Sequence, residues 1–263
     1  MEKLEPELWI VQGANALFGR LVAAALRPLG FVFPPGAEVI PPFIVMSALI
    51  VIGWTVLCLV VRSRLSVEQP GKLQILIEDG VGAVQGLLHD YIGKKGPQYL
   101  GIVTTIFVFI LTGNLMGLVP GLMAPTSSIN VTFGCALTVA VYYHIQGVKE
   151  QGIVHYLKHF AVPPGAPAWM APMMLPIEII SHLSRVLSLT LRLFGNIFGE
   201  ELMILILFSI VPFIVPLPIM FLSIITASLQ AFVFGLLTTI YLGGAVATEH
   251  EHNEHGEMVA GEV

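Results

Sequence analysis

The chain has 263 residues, of which 56% are hydrophobic and only 11% charged, with a formal net charge of −5. Soluble domains carry about 25% charged residues, so the composition excludes an ordinary soluble enzyme and defines an all-α integral membrane protein with several spans. Much of the acid lies in the termini, MEKLEPE and EHEHNEHGEMVAGEV. Both read as solvated ends, and a nucleic-acid partner is not expected.

The first residues are acidic rather than basic, so no cleavable signal peptide is expected. Residues 8–29 place apolar side chains at helical spacing, interrupted by Gln12, Asn15, Arg20 and Arg27. That pattern fits an amphipathic helix lying at the membrane interface. Four prolines then make 30–42 irregular. Phe43 to Val61 is the first clear span, close to the roughly 20 apolar residues that a bilayer core needs. Arg62 and Arg64 follow at once, which puts that end in the cytoplasm and the N-terminus outside.

Residues 72–92 carry Glu78 and Asp79 and read as a cytoplasmic-surface helix. Tyr99 to Val119 and Ile129 to Ile145 are the next two spans, joined by an outside loop without Lys or Arg. A proline-rich linker, 161–172, precedes two unusually long apolar runs, about 177–210 and 217–247. At 1.5 Å per residue these are roughly 50 and 45 Å long, so they must tilt strongly, kink or project. The expected fold is therefore about five crossings plus one or two interfacial helices. Residues 1–42 form an external segment, 43–247 the membrane domain and 248–263 an acidic cytoplasmic tail. Cys58 and Cys135 fall in apolar runs and read as buried small hydrophobes.

The first long run contains Arg192, a side chain that stays charged. Near the middle of a span it costs from about 2.5 to above about 10 kcal/mol, so it needs a compensating anion, a wet cavity or a function. At 100° per residue, Glu178, Ser181, Arg185, Ser188, Asn196 and Gly199 all lie within about 40° of it. Glu200 lies about 80° round, and Glu201 points to the far side. On the last run Ser223, Thr226 and Gln230 share a face that an antiparallel hairpin would turn toward the stripe. Arg185 either snorkels or pairs with Glu178, and His182 either lines a proton path or packs. The C-terminal histidines 250, 252 and 255 read as solvated rather than metal-binding, and no cofactor, metal or nucleophile motif is present. On residues alone, a self-contained ion channel or secondary transporter is the alternative reading, and an intramembrane enzyme a weaker one.

Several segments resemble a known family. SLTLRLFGNIFGEEL (188–202) and SLQAFVFGLLTTIYLGGAV (228–246) are similar to the two signature segments of subunit a of F-type ATP synthases. PGKLQ (70–74), NLMGLVPG (114–121), PTSSINVT (125–132) and LPIEIISHLSR (175–185) support the match. The resemblance implies a stator that forms two proton half-channels against a rotating ring of two-span hairpin subunits. Each ring subunit would carry a mid-membrane carboxylate, and peripheral-stalk b subunits would complete the assembly. Arg192 would be the essential stator arginine. Asn196, Glu201 and Gln230 match positions of the proton path, with Glu178, Ser181 and Asn114 as further candidates. Glu200 and Ser223 depart from the enterobacterial pattern, where a glycine and a histidine would stand, so Glu200 is read as sharing the relay. The residues alone do not separate proton from sodium. The implied location is a bacterial inner membrane, and no covalent chemistry falls to this chain.

Overall fold

The computed structural model describes residues 9–26, 28, 39–66, 70–119, 121–153, 156, 171–210 and 216–246. Every regular element among them is helical: α1 (Trp9–Leu26), α2 (Pro42–Ser63), α3 (Lys72–Ile92), α4 (Leu100–Met116), α5 (Ile129–Gln151), α6 (Ala171–Ile210) and α7 (Pro216–Val246). Five helical stretches are long and apolar enough to cross a membrane. The histidines at 250, 252 and 255 lie outside the described residues.

Local chemistry sets the helix ends. Pro41 is extended and Pro42 opens α2, where a missing N–H removes no helical bond. Arg62 sits in the last turn, where a cation complements the helix dipole. Gly93, at φ 74°, lies just beyond α3 in the left-handed conformation usual after a helix. A 3-10 stretch, Gly93–Tyr99, then leads into α4. It passes so close to α3 that a Cβ on Gly96 would lie 2.6 Å from the Leu88 carbonyl oxygen. The surface helix and the second span expected from the sequence are thus joined by a tight reversal.

Other boundaries shift. α5 continues past Ile145 to Gln151, and α6 begins at Ala171 rather than near 177. Pro172, expected in a helix-breaking linker, falls in the first turn of α6, and Pro176 lies inside the helix. The first is tolerated because first-turn N–H groups have no helical partner. With 40 and 31 residues, α6 and α7 are roughly 60 and 46 Å long, beyond a ~30 Å hydrocarbon core.

The residues cluster into two units. The first comprises Met1–Gln74, Val108–Val131 and Leu193–Gln230. Its apolar core joins Val11, Val45, Met46, Ile50 and Met116. Asn15 ties α1 to the chain before α2, donating to the Ile40 carbonyl at 3.0 Å and accepting from the Ile40 N–H at 2.9 Å. Trp54 Nε1 donates to Thr112 Oγ1 at 2.9 Å, linking α2 to α4.

The second unit comprises Ile75–Phe107, Thr132–Arg192 and Ala231–Val263. Lys95 Nζ meets Glu150 Oε2 at 2.6 Å, and Gln151 Nε2 donates to the Ala245 carbonyl at 3.0 Å. Gly147 permits this approach of α5 to α7: a Cβ there would stand 2.5 Å from the Tyr156 ring and 3.0 Å from the Ala245 oxygen.

The cysteine expectation is corrected. Cys58 is exposed and Cys135 only partly buried. α2 turns most of its apolar surface outward, Val51, Ile52, Val56 and Leu59 included. In a helix solvated by lipid an apolar side chain has no need of a protein interior.

Candidate functional site

The first unit holds a polar group where α4, the α4–α5 loop, α6 and α7 meet. Asn114 is buried on α4, accepts from Thr126 Oγ1 at 2.8 Å and donates to the Ala227 carbonyl at 3.4 Å. It therefore satisfies both ends of its amide inside apolar helices, where an unmade bond is expensive. Thr126 belongs to a short 3-10 turn, Pro125–Ser127, that is wholly buried. The same turn receives Glu201. Its Oε1 accepts from the Ala124 N–H at 3.2 Å, and Ser127 lies beside the carboxylate. Gly117 makes the room, because a Cβ there would be 2.9 Å from the Ala124 Cβ and 3.1 Å from Glu201 Oε1.

Glu200 turns elsewhere, as the 100° step between neighbours on a helix requires. Its carboxylate lies beside the Ser223 and Thr226 side chains of α7. The Ser223 hydroxyl is buried and closes no hydrogen bond of standard geometry among the described residues. Thr226 Oγ1 donates back to the Leu222 carbonyl at 3.1 Å. One turn before Glu200, Asn196 Nδ2 donates to Gln230 Oε1 at 3.1 Å. The face Ser223–Thr226–Gln230 thus meets α6, as its spacing suggested.

The second unit holds another polar group, between α5, α6 and α7. Glu178 Oε1 lies 3.2 Å from His182 Nε2, one turn further along α6. His182 Nδ1 lies 2.8 Å from the Tyr143 hydroxyl of α5. His144 stands next to both, its ring 4.9 Å from His182, and its Nδ1 is 2.8 Å from the Tyr156 hydroxyl. Burial, with the Glu178 charge adding to it, holds the Tyr156 phenol above its ordinary range. The expected options for Arg185 need correction. Glu178 is engaged by His182, while the Arg185 guanidinium lies 5.0 Å over the Tyr241 ring, a cation–π contact. Ser181 is half-buried on this stripe, and only its carbonyl is bonded, to Ser184.

Arg192 differs from all of these. It is exposed and makes no hydrogen bond or ion pair with any described residue. Ser188, Gly195, Asn196 and Gly199 on the same stripe are exposed too. A Cβ on Gly195 or Gly199 would meet nothing within 4 Å. The stripe read from the sequence is one line of residues in two settings: Glu178 to Arg185 half-buried, Ser188 to Gly199 open.

The sequence missed the partners. Tyr143, His144, Tyr156 and Tyr241, the Ala124–Ser127 turn and Gly117 were not singled out. Tyr-Tyr-His at 142–144 inside an apolar helix was the available signal for the first two.

Among the described residues, five crossing-length helices, two internal polar groups and the exposed Arg192 guanidinium belong to a polytopic membrane protein with polar side chains inside its helical packing. The family described as ATP synthase A chain matches residues 43–243. Relatives called "ATP synthase subunit a" include that of Citrifermentans bemidjiense, 46% identical over 90% of this chain and 98% of the relative. That of Geotalea daltonii is 42% identical over 89% and 98%. That of Geobacter sulfurreducens is 41% identical over 74% and 85%. The chain belongs to the ATP synthase A chain family, and its function is that of a stator subunit in the membrane sector of an F-type ATP synthase.

Proposed function

We propose that Arg192 is the stator arginine facing the mid-membrane carboxylate of a ring of hairpin subunits, with a proton path on either side of it. Glu200, Glu201, Asn196, Gln230 and Ser223 line the outer path. Glu178, Ser181 and His182 line the inner one. Peripheral-stalk b subunits hold the chain still, in a bacterial inner membrane with the N-terminus outside and the tail after residue 247 in the cytoplasm. The observation that carries this reading is Arg192, exposed and without an ion pair among the described residues, on a stripe whose glycines leave open space.

The chemistry follows from charge and solvent. A ring carboxylate crossing lipid must be protonated, because an ion there is costly. Beside a fixed guanidinium and a wet path its ionised form is favoured, so it releases its proton. Arg192 keeps its charge at every stage and repels protons that would otherwise hop directly between the paths. The two buried groups supply hydroxyls, amides and carboxylates that exchange protons or hold water, and no covalent step falls to this chain.

Disulfide cross-linking tests the reading in the assembled complex. Gly199→Cys, with Cys58 and Cys135 changed to Ser, is paired with a cysteine one turn from the ring carboxylate. Oxidation should yield one adduct of this chain and one ring subunit. Assembled complexes that give no adduct from Gly199→Cys or from Ser188→Cys contradict the reading.

A further inference from the structure

The second polar group joins a carboxylate, an imidazole and a phenol in one line. His182 uses both ring nitrogens, Nε2 toward Glu178 at 3.2 Å and Nδ1 toward the Tyr143 hydroxyl at 2.8 Å. Both nitrogens are thereby satisfied, as a buried imidazole requires, and one ring that can take a proton at one nitrogen and give it from the other joins a carboxylate to a phenol. Beyond Tyr143 lies a small cavity, lined by Ala136, Ala140, Tyr143, Arg185, Leu189 and Tyr241 among others. Leu189 is one helical turn before Arg192. The carboxylate, the imidazole, the phenol and the cavity therefore follow one another along α6 toward the arginine.

We propose that Tyr143 is the proton carrier that connects this cavity to the His182–Glu178 pair. The proposal rests on the inner-path reading above and adds the step that reading lacks. His182 starts with its proton on Nε2, donating to the Glu178 carboxylate, and its Nδ1 accepts from the Tyr143 hydroxyl. A proton delivered by water in the cavity forms a new O–H bond on the Tyr143 oxygen. The original phenolic O–H breaks as Nδ1–H forms. Nε2–H breaks as a carboxylic O–H forms on Glu178. One proton enters, one leaves toward solvent from Glu178, and nothing is oxidised or reduced. The imidazole resets by turning about its side-chain bonds, which carries the N–H from the Tyr143 side to the Glu178 side without breaking a bond. His182 is faced by Glu178 from its own helix, with Arg185 also on that helix nearby. Tyr143 and His144 face it from α5, with Tyr156 behind His144 and Tyr241 of α7 beside Tyr143.

The test is passive proton current through assembled membrane sectors in vesicles, driven by a potassium diffusion potential, with complexes quantified on native gels. Tyr143→Phe keeps the ring and removes only the hydroxyl, and the current should fall at least about tenfold. His182→Gln can still bond both neighbours but cannot pass a proton through a ring. It should show a similar loss and flatten the dependence of the current on inner-side pH. An assembled Tyr143→Phe complex whose current stays within about twofold of native overturns the proposal. If Tyr143→Phe does not assemble, His182→Gln decides: native current and an unchanged pH profile overturn it. Arg192→Ala in whole complexes, which carry the ATP-hydrolysing sector as well, separates the two levels. Normal ATP-driven pumping there sinks the stator reading itself, whereas lost pumping there with native Tyr143→Phe current sinks only the carrier.

Discussion

Glu200 of α6 lies against Ser223 of α7, within the first unit. These are the two positions where the sequence departs from the enterobacterial pattern of glycine and histidine, and they are neighbours in space. A glycine at 200 with a histidine at 223 would put one titratable group into the same gap from the opposite helix. Glu200→Gly alone should reduce ATP-driven proton pumping at least about tenfold. Adding Ser223→His should restore a substantial part of it, because an imidazole refills the space the carboxylate left. A double variant no better than the single one would show that the gap is not shared.

Glu201 is held by the loop rather than by α7, through the Ala124 N–H at 3.2 Å. Glu201→Gln keeps the shape and an acceptor oxygen but cannot take up a proton, so assembly should survive while pumping falls at least about tenfold. Unchanged flux removes Glu201 from the path. Gly117→Ala should weaken the same step indirectly, since its Cβ would crowd Ala124 and Glu201. Overpacking of this kind costs about 1–3 kcal/mol. Gly134→Ala, where a Cβ meets nothing within 4 Å, should leave thermal stability and pumping unchanged.

The Asn114 amide closes the polar group from below, bonded to Thr126 and to the Ala227 carbonyl. Asn114→Leu leaves the buried Thr126 hydroxyl without its partner, and such an orphan costs about 1–3 kcal/mol. The solubilised complex should therefore dissociate at a lower temperature. Thr126→Val added to Asn114→Leu removes one orphan, so the double change should cost less than the sum of the singles. Strict additivity in a double-mutant cycle would contradict the direct bond.

The parts that repeat regularly were legible in the sequence. Span-length apolar runs gave the five crossing helices, and the 100° step put Glu200 and Glu201 on different faces. The i, i+3, i+7 spacing of Ser223, Thr226 and Gln230 gave the side of α7 that meets α6. What could not be read were contacts made across long separations in the chain. Ala124 reaches Glu201 across 77 positions, and Tyr143 reaches His182 across 39. No periodicity reports such pairs. The choice between Glu178 and Tyr241 for Arg185 likewise depended on how close α5, α6 and α7 stand. Gly147 sets part of that spacing, by admitting the Tyr156 ring and the Ala245 carbonyl beside α5.

The account stands on Arg192, a cation exposed at the surface of α6 and without an ion pair among the described residues. Arg192→Ala in assembled complexes, followed by ATP-driven proton uptake into inverted vesicles, tests it most directly. Assembly should be retained and uptake abolished, because nothing else on the stripe holds a permanent positive charge at that turn. Uptake at the native rate by an assembled Arg192→Ala complex would contradict the account.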